Sequence, residues 1–286
     1  MSTDTTAFSL APLPPRVPPL RKYWNILRIS LVERLAYRAD FFFTAVLRFM
    51  PLLTSFLLWN AIFTGAGDQE ISGFTRRSMI AYLLLVQISR MFSSMPGLAA
   101  GIARDIRDGN LKKYLLQPIH MTPYLLAYRV AHKIAYIVTS ALPYGLLFFL
   151  CRDAFTDLPD AGTWVAYFVS LVLGFILGFF FEATIGMIGF WFLEVTSFLY
   201  VVNTINFFVS GHLFPLDLLP GPWAHVLQML PFQFLAYFPA MVFLGRKTGD
   251  ELAVGLAVEA AWALAFIVLS QWLYRAGLKR YSAYGG

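Results

Sequence analysis

The sequence predicts an all-α membrane protein of six transmembrane helices, and three observations predict it. Only 13% of the 286 residues are charged while 58% are hydrophobic and 17% aromatic; a soluble domain carries about twice that charge fraction. The runs 49–67, 134–151, 163–181 and 195–216 hold no Asp, Glu, Lys or Arg. A bilayer core about 30 Å thick takes about 20 helical residues to cross, and a charge left at mid-span costs at least about 2.5 kcal/mol on insertion scales. Third, the basic residues cluster on one side. With the N-terminus inside, fifteen of the 22 Lys and Arg fall in inner segments and five in outer ones, with Arg48 and Arg90 within spans. That bias places both termini in the cytoplasm of a multi-pass cell (inner) membrane protein. A water-soluble globule, a disordered chain and a nucleic-acid module are excluded by the same composition, and the net charge of +6 reads as the inner loops.

Taken in order, residues 1–19 hold Pro12, Pro14, Pro15, Pro18 and Pro19, which suits an extended cytoplasmic tail and no cleavable signal peptide. Residues 20–40 read as an amphipathic helix, with Trp24, Leu27, Leu31 and Leu35 on one stripe and Arg21, Asn25 and Arg28 on another. Such a helix either lies along the inner membrane surface or extends the first span. The transmembrane domain is 41–276, with spans at about 41–63, 78–101, 126–151, 163–190, 195–212 and 252–275. Residues 213–245 are apolar enough to cross, but Pro220, Gly221, Pro222, Pro231 and Pro239 would break the backbone ladder where lipid offers no substitute partners. Two short helices that dip in from the outer face and return are expected there. Residues 277–286 form a cytoplasmic tail.

Motifs narrow the chemistry mostly by absence. The chain has no G-x-x-x-x-G-K-[ST] phosphate loop. His120, His132, His212 and His225 lack metal-site spacing, and the single Cys151 excludes an internal disulfide or a cysteine metal framework. No metal site, resident cofactor or catalytic constellation is expected, so the chain itself is not read as an enzyme. The most informative polar segment is 102–118, between the second and third spans. It holds Arg104, Asp105, Arg107, Asp108, Gly109, Leu111, Lys112, Tyr114, Leu115 and Pro118. Gly109 can close a helix in the left-handed conformation, a short turn follows with Leu111, Tyr114 and Leu115 on one side, and Pro118 halts it. From spacing alone this is either a solvated loop or a knob that seats in a groove on a cytoplasmic partner.

That segment, read from Arg107 to Pro118, resembles the coupling-helix signature of the type-2 ABC exporter permeases. The stretch Glu33 to Asp40 resembles the start of one bacterial branch of that family. The run Ser210 to Pro220, followed by Leu230-Pro231-Phe232 and Tyr237-Phe238-Pro239, resembles its external re-entrant helices. The three landmarks occur in family order and the similarity covers about residues 20–280; Lys112 departs from it, a base where many relatives carry an acid. The resemblance implies a six-span permease subunit, paired with a second copy or a related permease and with two cytoplasmic ABC ATPase subunits. ATP and Mg would be bound by those partners, and export of a lipid, glycan, peptide or drug by alternating access would follow.

Charges within the spans need partners or a watery cavity. Arg48 and Glu182 fall at similar depth and Arg90 near the middle of the second span, so Glu182 is expected to neutralise Arg48 or Arg90, as a structural tie or as part of transport. Gly174 and Gly178, with Gly186 and Gly189 beyond, permit close helix approach. In the fifth span, Asn203, Thr204 and Asn206 are expected to face a dimer interface or the substrate route. The competing reading is a secondary, ion-coupled transporter, for which Glu182 and Glu259 are the candidate acids; the chain shows no half-to-half repeat in its favour.

Overall fold

The computed structural model describes residues 18–36, 38–155, 159–192 and 194–281, and every named element among them is helical. The amphipathic segment forms α1 (Pro19–Ala36), which packs along α6 (Met121–Leu150). Tyr23, Ile26, Leu27, Ser30 and Leu31 make its sheltered side. Trp24 belongs to the other side: at 63% exposure it faces outward with Ile29 and Val32, not with Leu27 as the spacing suggested. The helix α2 (Arg38–Gly65) follows, with Pro51 inside it, and pairs with α3 (Arg76–Ser93). A capping box between Thr75 and Ser78 starts α3 by satisfying two of the backbone N–H groups that a helix leaves open.

The second expected span, 78–101, is not one rod. α3 stops at Ser93, residues 94–97 are irregular, and α4 (Leu98–Arg107) resumes after Gly97, whose φ is +72°. Pro96 has no N–H to give and its ring disfavours a helical Ser94–Met95 approach, so the Ser-Met-Pro-Gly run breaks the ladder. The 102–118 segment divides accordingly into the end of α4, a turn closed by Gly109 (φ +72°), and α5 (Lys112–Leu115).

Four stretches are long and apolar enough to cross a membrane: Arg76–Arg107, Met121–Leu150, Ala161–Phe190 and Gly249–Arg280; Phe49–Gly65 and Thr196–Val209 are shorter apolar helices. They correspond to α3–α4, α6, α7 (Ala161–Met187) with a 3-10 turn at Ile188–Phe190, and α11 (Gly249–Arg280), with α8 (Thr196–Val209) one of the short ones. The stretch 213–245 holds no crossing helix. It contains α9 (Pro222–Met229) and α10 (Tyr237–Phe243), of 8 and 7 residues, which at 1.5 Å per residue reach only about 12 Å each.

α7 is the hub, touching α3, α4, α10 and α11. In its most apolar window 56% of residues are buried, against 11% in α11, so α7 forms the core while α11 turns most of its surface outward. α10 is buried along its whole length and wedges between α3 and α7. Long side chains that would be a liability in water stay exposed on the periphery, such as Leu142 at 83% and Trp272 at 62%, as suits a surface solvated by lipid.

The ends of these helices segregate. At one end Arg107 of α4 lies 3.9 Å from Glu194 before α8, Tyr281 packs edge-on to Phe190, and Lys22 of α1 donates to the Pro118 carbonyl. At the other, Arg246 donates to the Gly73 carbonyl and stacks 3.8 Å over the Phe74 ring, and Trp59 donates to the Leu213 carbonyl at 3.1 Å.

Candidate functional site

Two places gather the residues singled out in the sequence. The first is the knob of α4 and α5. Leu98, Ile102 and Ile106 bury one face of α4 against Phe179, Phe180, Ala183 and Met187 of α7, and Leu111, Tyr114 and Met121 join the same cluster. The apolar side of the knob is thus spent inside the protein: Leu111 and Tyr114 are buried, and Gly109 with them. Leu115 does not share that side. It points out at 50% exposure beside Leu116 at 83%, with Arg104, Arg107, Asp108, Lys112 and Pro118 also exposed. Leu116 was not among the residues singled out; it follows Leu115 immediately, and only the turn geometry reveals that both leave the core.

The charges on the knob are locally tied. Lys113 Nζ sits 2.7 Å from Asp105 Oδ2 and 4.8 Å from the centroid of the Tyr114 ring. Partial burial acts to lower the Lys113 ammonium, but its bond to Asp105 together with the charge of Asp105 and the Tyr114 hydroxyl outweighs this and holds it above its ordinary value. Burial raises the Tyr114 phenol. Arg107 pairs with Asp108 at 3.1 Å. Surface pairs of this kind contribute about 0–1 kcal/mol, so these charges matter more for what they present than for stability.

The second place is a cavity of 300 Å³ at the break between α3 and α4, lined by Arg90, Ser93, Ser94, Glu182, Asn203 and Asn206 among others. It unites two groups that the sequence could only treat separately, the intramembrane charges and the amides of the fifth apolar helix. Arg90 and Glu182 face each other's field, but no ion pair within 4 Å joins them among the described residues. Instead the Glu182 carboxylate lies within the influence of the Ala99 backbone N–H, at the first turn of α4, where the open N–H groups and the helix dipole favour an anion. The side chain of Arg48, the other expected partner, lies outside the described residues. Thr204 parts company with the asparagines: it is exposed and its hydroxyl donates to the Tyr200 carbonyl at 2.8 Å.

The opposite side of the break is met by cations. Lys133 Nζ stands 2.5 Å from the carbonyls of Met91 and Ser94, and Arg129 Nη1 stands 2.9 Å from that of Pro96. Ser94 N–H already closes onto the Arg90 carbonyl at 2.9 Å. The loose carbonyls at the end of α3 and within the break therefore end on two side chains of α6, as buried backbone oxygens require. By the sequence, Arg129 and Lys133 count among the cytoplasmic basic residues at the start of the third span. Lys133 is 7% exposed, and the Pro96-Gly97 pair was the available signal that something would have to cap a broken helix there.

Close approach makes the site possible. A Cβ built on Gly178 would fall 2.0 Å from the Ser93 carbonyl oxygen, and one on Gly186 2.8 Å from that of Ala99. The glycines of α7 are the bed in which the broken span lies. Beneath the cavity Ser93 Oγ donates to the Leu235 carbonyl at 2.6 Å, tying the break to the segment before α10. That segment is held in turn by Tyr237, whose hydroxyl is 2.7 Å from Asp217 Oδ1, and whose N–H is 3.1 Å from the Ser210 carbonyl.

A family model described as an ABC-2 family transporter protein matches residues 49–285. No curated protein and no solved structure matches the chain.

Proposed function

The chain belongs to the ABC-2 transporter family, and as the membrane permease of such a transporter we propose that it exports a lipid, glycan, peptide or drug-like substrate by ATP-driven alternating access. Hydrolysis takes place on cytoplasmic ABC ATPase subunits, which carry the ATP and Mg. The permease functions beside a second copy of itself or a related permease. In this reading all six apolar helices cross the inner membrane, both termini are cytoplasmic, α1 lies at the inner interface with Trp24 toward lipid, and 213–245 re-enters from outside.

The observation that carries the reading is the mounting of the knob. α4 is packed by Leu98, Ile102 and Ile106 onto α7, and α7 in turn packs on α3, α10 and α11. A displacement applied to the exposed turn at Leu115–Leu116 is therefore delivered to the helix that touches most of the others. Packed interiors pass on such a push and do not absorb it, because they are as dense as organic crystals. The Arg and Lys side chains around the two leucines provide orientation, and the leucines provide the apolar contact that a groove on the partner would bury.

The test is co-purification and uncoupling. An ABC ATPase partner should co-purify, and transport should stop when its nucleotide site is inactivated. Leu116→Asp should leave expression and insertion intact, because the side chain touches nothing buried, while cutting transport per ATP hydrolysed by about tenfold or more. Uphill transport by the reconstituted chain alone would instead identify an ion-coupled carrier.

A further inference from the structure

The cavity at the α3–α4 break has a composition that the mechanics of the knob do not call for. Its cation, Arg90, makes no hydrogen bond or ion pair among the described residues, although a guanidinium carries five donors. The one acid on the wall, Glu182, lies by the Ala99 N–H at the start of α4 and forms no ion pair with Arg90 among the described residues. Asn206, only 5% exposed, lines the same cavity with its Oδ1 buried and without a partner. Ser93 is satisfied by Leu235. Exposed Asn203 adds an amide to the wall. Unmet donors on one side and an unmet acceptor on another are costly inside a protein, about 1–3 kcal/mol for each neutral group and more for a charged one. A volume of 300 Å³ exceeds what a few waters need, at about 30 Å³ each.

We propose that this cavity is a binding site for an oxyanion, a phosphate or carboxylate whose carrier also bears a hydroxyl. Arg90 takes the anion through its planar fork, and the amide oxygen of Asn206 accepts from the hydroxyl. Arginine suits this task because the fork matches two oxygens of a phosphate or carboxylate at once. Glu182 shares the cavity and feels the Arg90 charge, but no ion pair within 4 Å joins the two among the described residues. The same chemistry is offered by the headgroup of a hydroxylated anionic lipid or by a small water-soluble organic phosphate. The site extends the permease reading by naming a ligand chemistry, and it does not depend on an ATPase being present.

The experiment uses the full chain in two arms. In phosphatidylcholine nanodiscs, phosphatidylglycerol is added in steps and bound lipid is counted by native mass spectrometry. In detergent, glycerol 3-phosphate is titrated and the thermal midpoint is followed. Binding in the first arm alone identifies a lipid, and binding in the second alone or in both includes a soluble ligand; each supports the site. In whichever arm binds, Arg90→Gln and, separately, Asn206→Leu should weaken binding by about tenfold or more, and Arg90→Lys, which keeps the charge but loses the fork, should retain only part of it. Should Arg90→Gln fail to fold, Asn206→Leu carries the comparison. The proposal is overturned if the wild type binds neither probe, if phosphatidylcholine competes as well as phosphatidylglycerol, or if Asn206→Leu and Arg90→Gln bind as the wild type does. Neither arm contains nucleotide, so such a failure leaves the permease assignment standing, and loss of the ATPase partner would leave this site standing.

Discussion

Gly178 leaves no room for a methyl group: the Cβ of an alanine would fall 2.0 Å from a backbone oxygen of the broken span, an atom that cannot turn aside as a flexible side chain could. Gly178→Ala should therefore destabilise the fold by about 1–3 kcal/mol, read as a drop in thermal midpoint. Gly145→Ala in α6, where nothing lies within 4 Å, should be tolerated in the same assay. A second residue-scale case is Glu259, fully buried, with its Oε2 2.8 Å from Ser170 Oγ and its Oε1 without a partner. Ser170→Ala removes the bond that holds this carboxyl and should cost about 1–3 kcal/mol. Glu259→Gln can still accept from Ser170 and should cost less. The reverse order would mean that the charge, not the hydrogen bond, matters there. The sequence offered Glu259 as an acid of an ion-coupled carrier; the structure shows it braced between α7 and α11.

At the scale of elements the decisive feature is the interrupted span. A break within a membrane helix survives only if its freed groups find partners, and here they do: Lys133 on the Met91 and Ser94 carbonyls, Arg129 on the Pro96 carbonyl, and Glu182 beside the Ala99 N–H. Lys133 and Glu182 also match the sign of the helix end each meets. Lys133→Met keeps the length of the side chain but leaves the Met91 and Ser94 carbonyls unpaired. It should cost about 2–3 kcal/mol, with faster proteolysis between residues 94 and 97 as the specific sign of a loosened break. The knob was legible in the sequence as a unit, because Gly109 and Pro118 bound it and its charges alternate with leucines. Which leucine faces in was not, since two short helices joined by a left-handed residue do not share one helical period. That 213–245 holds no crossing helix was legible too, from four prolines that such a helix would not carry.

Across the whole molecule the helices sort into two ends joined by side-chain contacts, Arg107 with Glu194 at one and Arg246 with Gly73 and Phe74 at the other. The distribution of basic residues would put the first end in the cytoplasm. In a Cys151→Ser background, Leu116→Cys should then label with an impermeant reagent only in inside-out vesicles, and Trp223→Cys, 64% exposed on α9, only in right-side-out ones. Labelling of both from the same side would refute the topology. The sequence by itself determined the environment, because a chain with so few charges and such long uncharged runs has no stable state in water, and it determined where helices must stop. It could not determine that Arg90, Glu182, Asn203 and Asn206 share one cavity, or that two loop cations become the caps of a broken helix. Those residues are separated by up to 116 positions, and only the packing of α3, α4 and α6 around the glycines of α7 brings them within reach of each other.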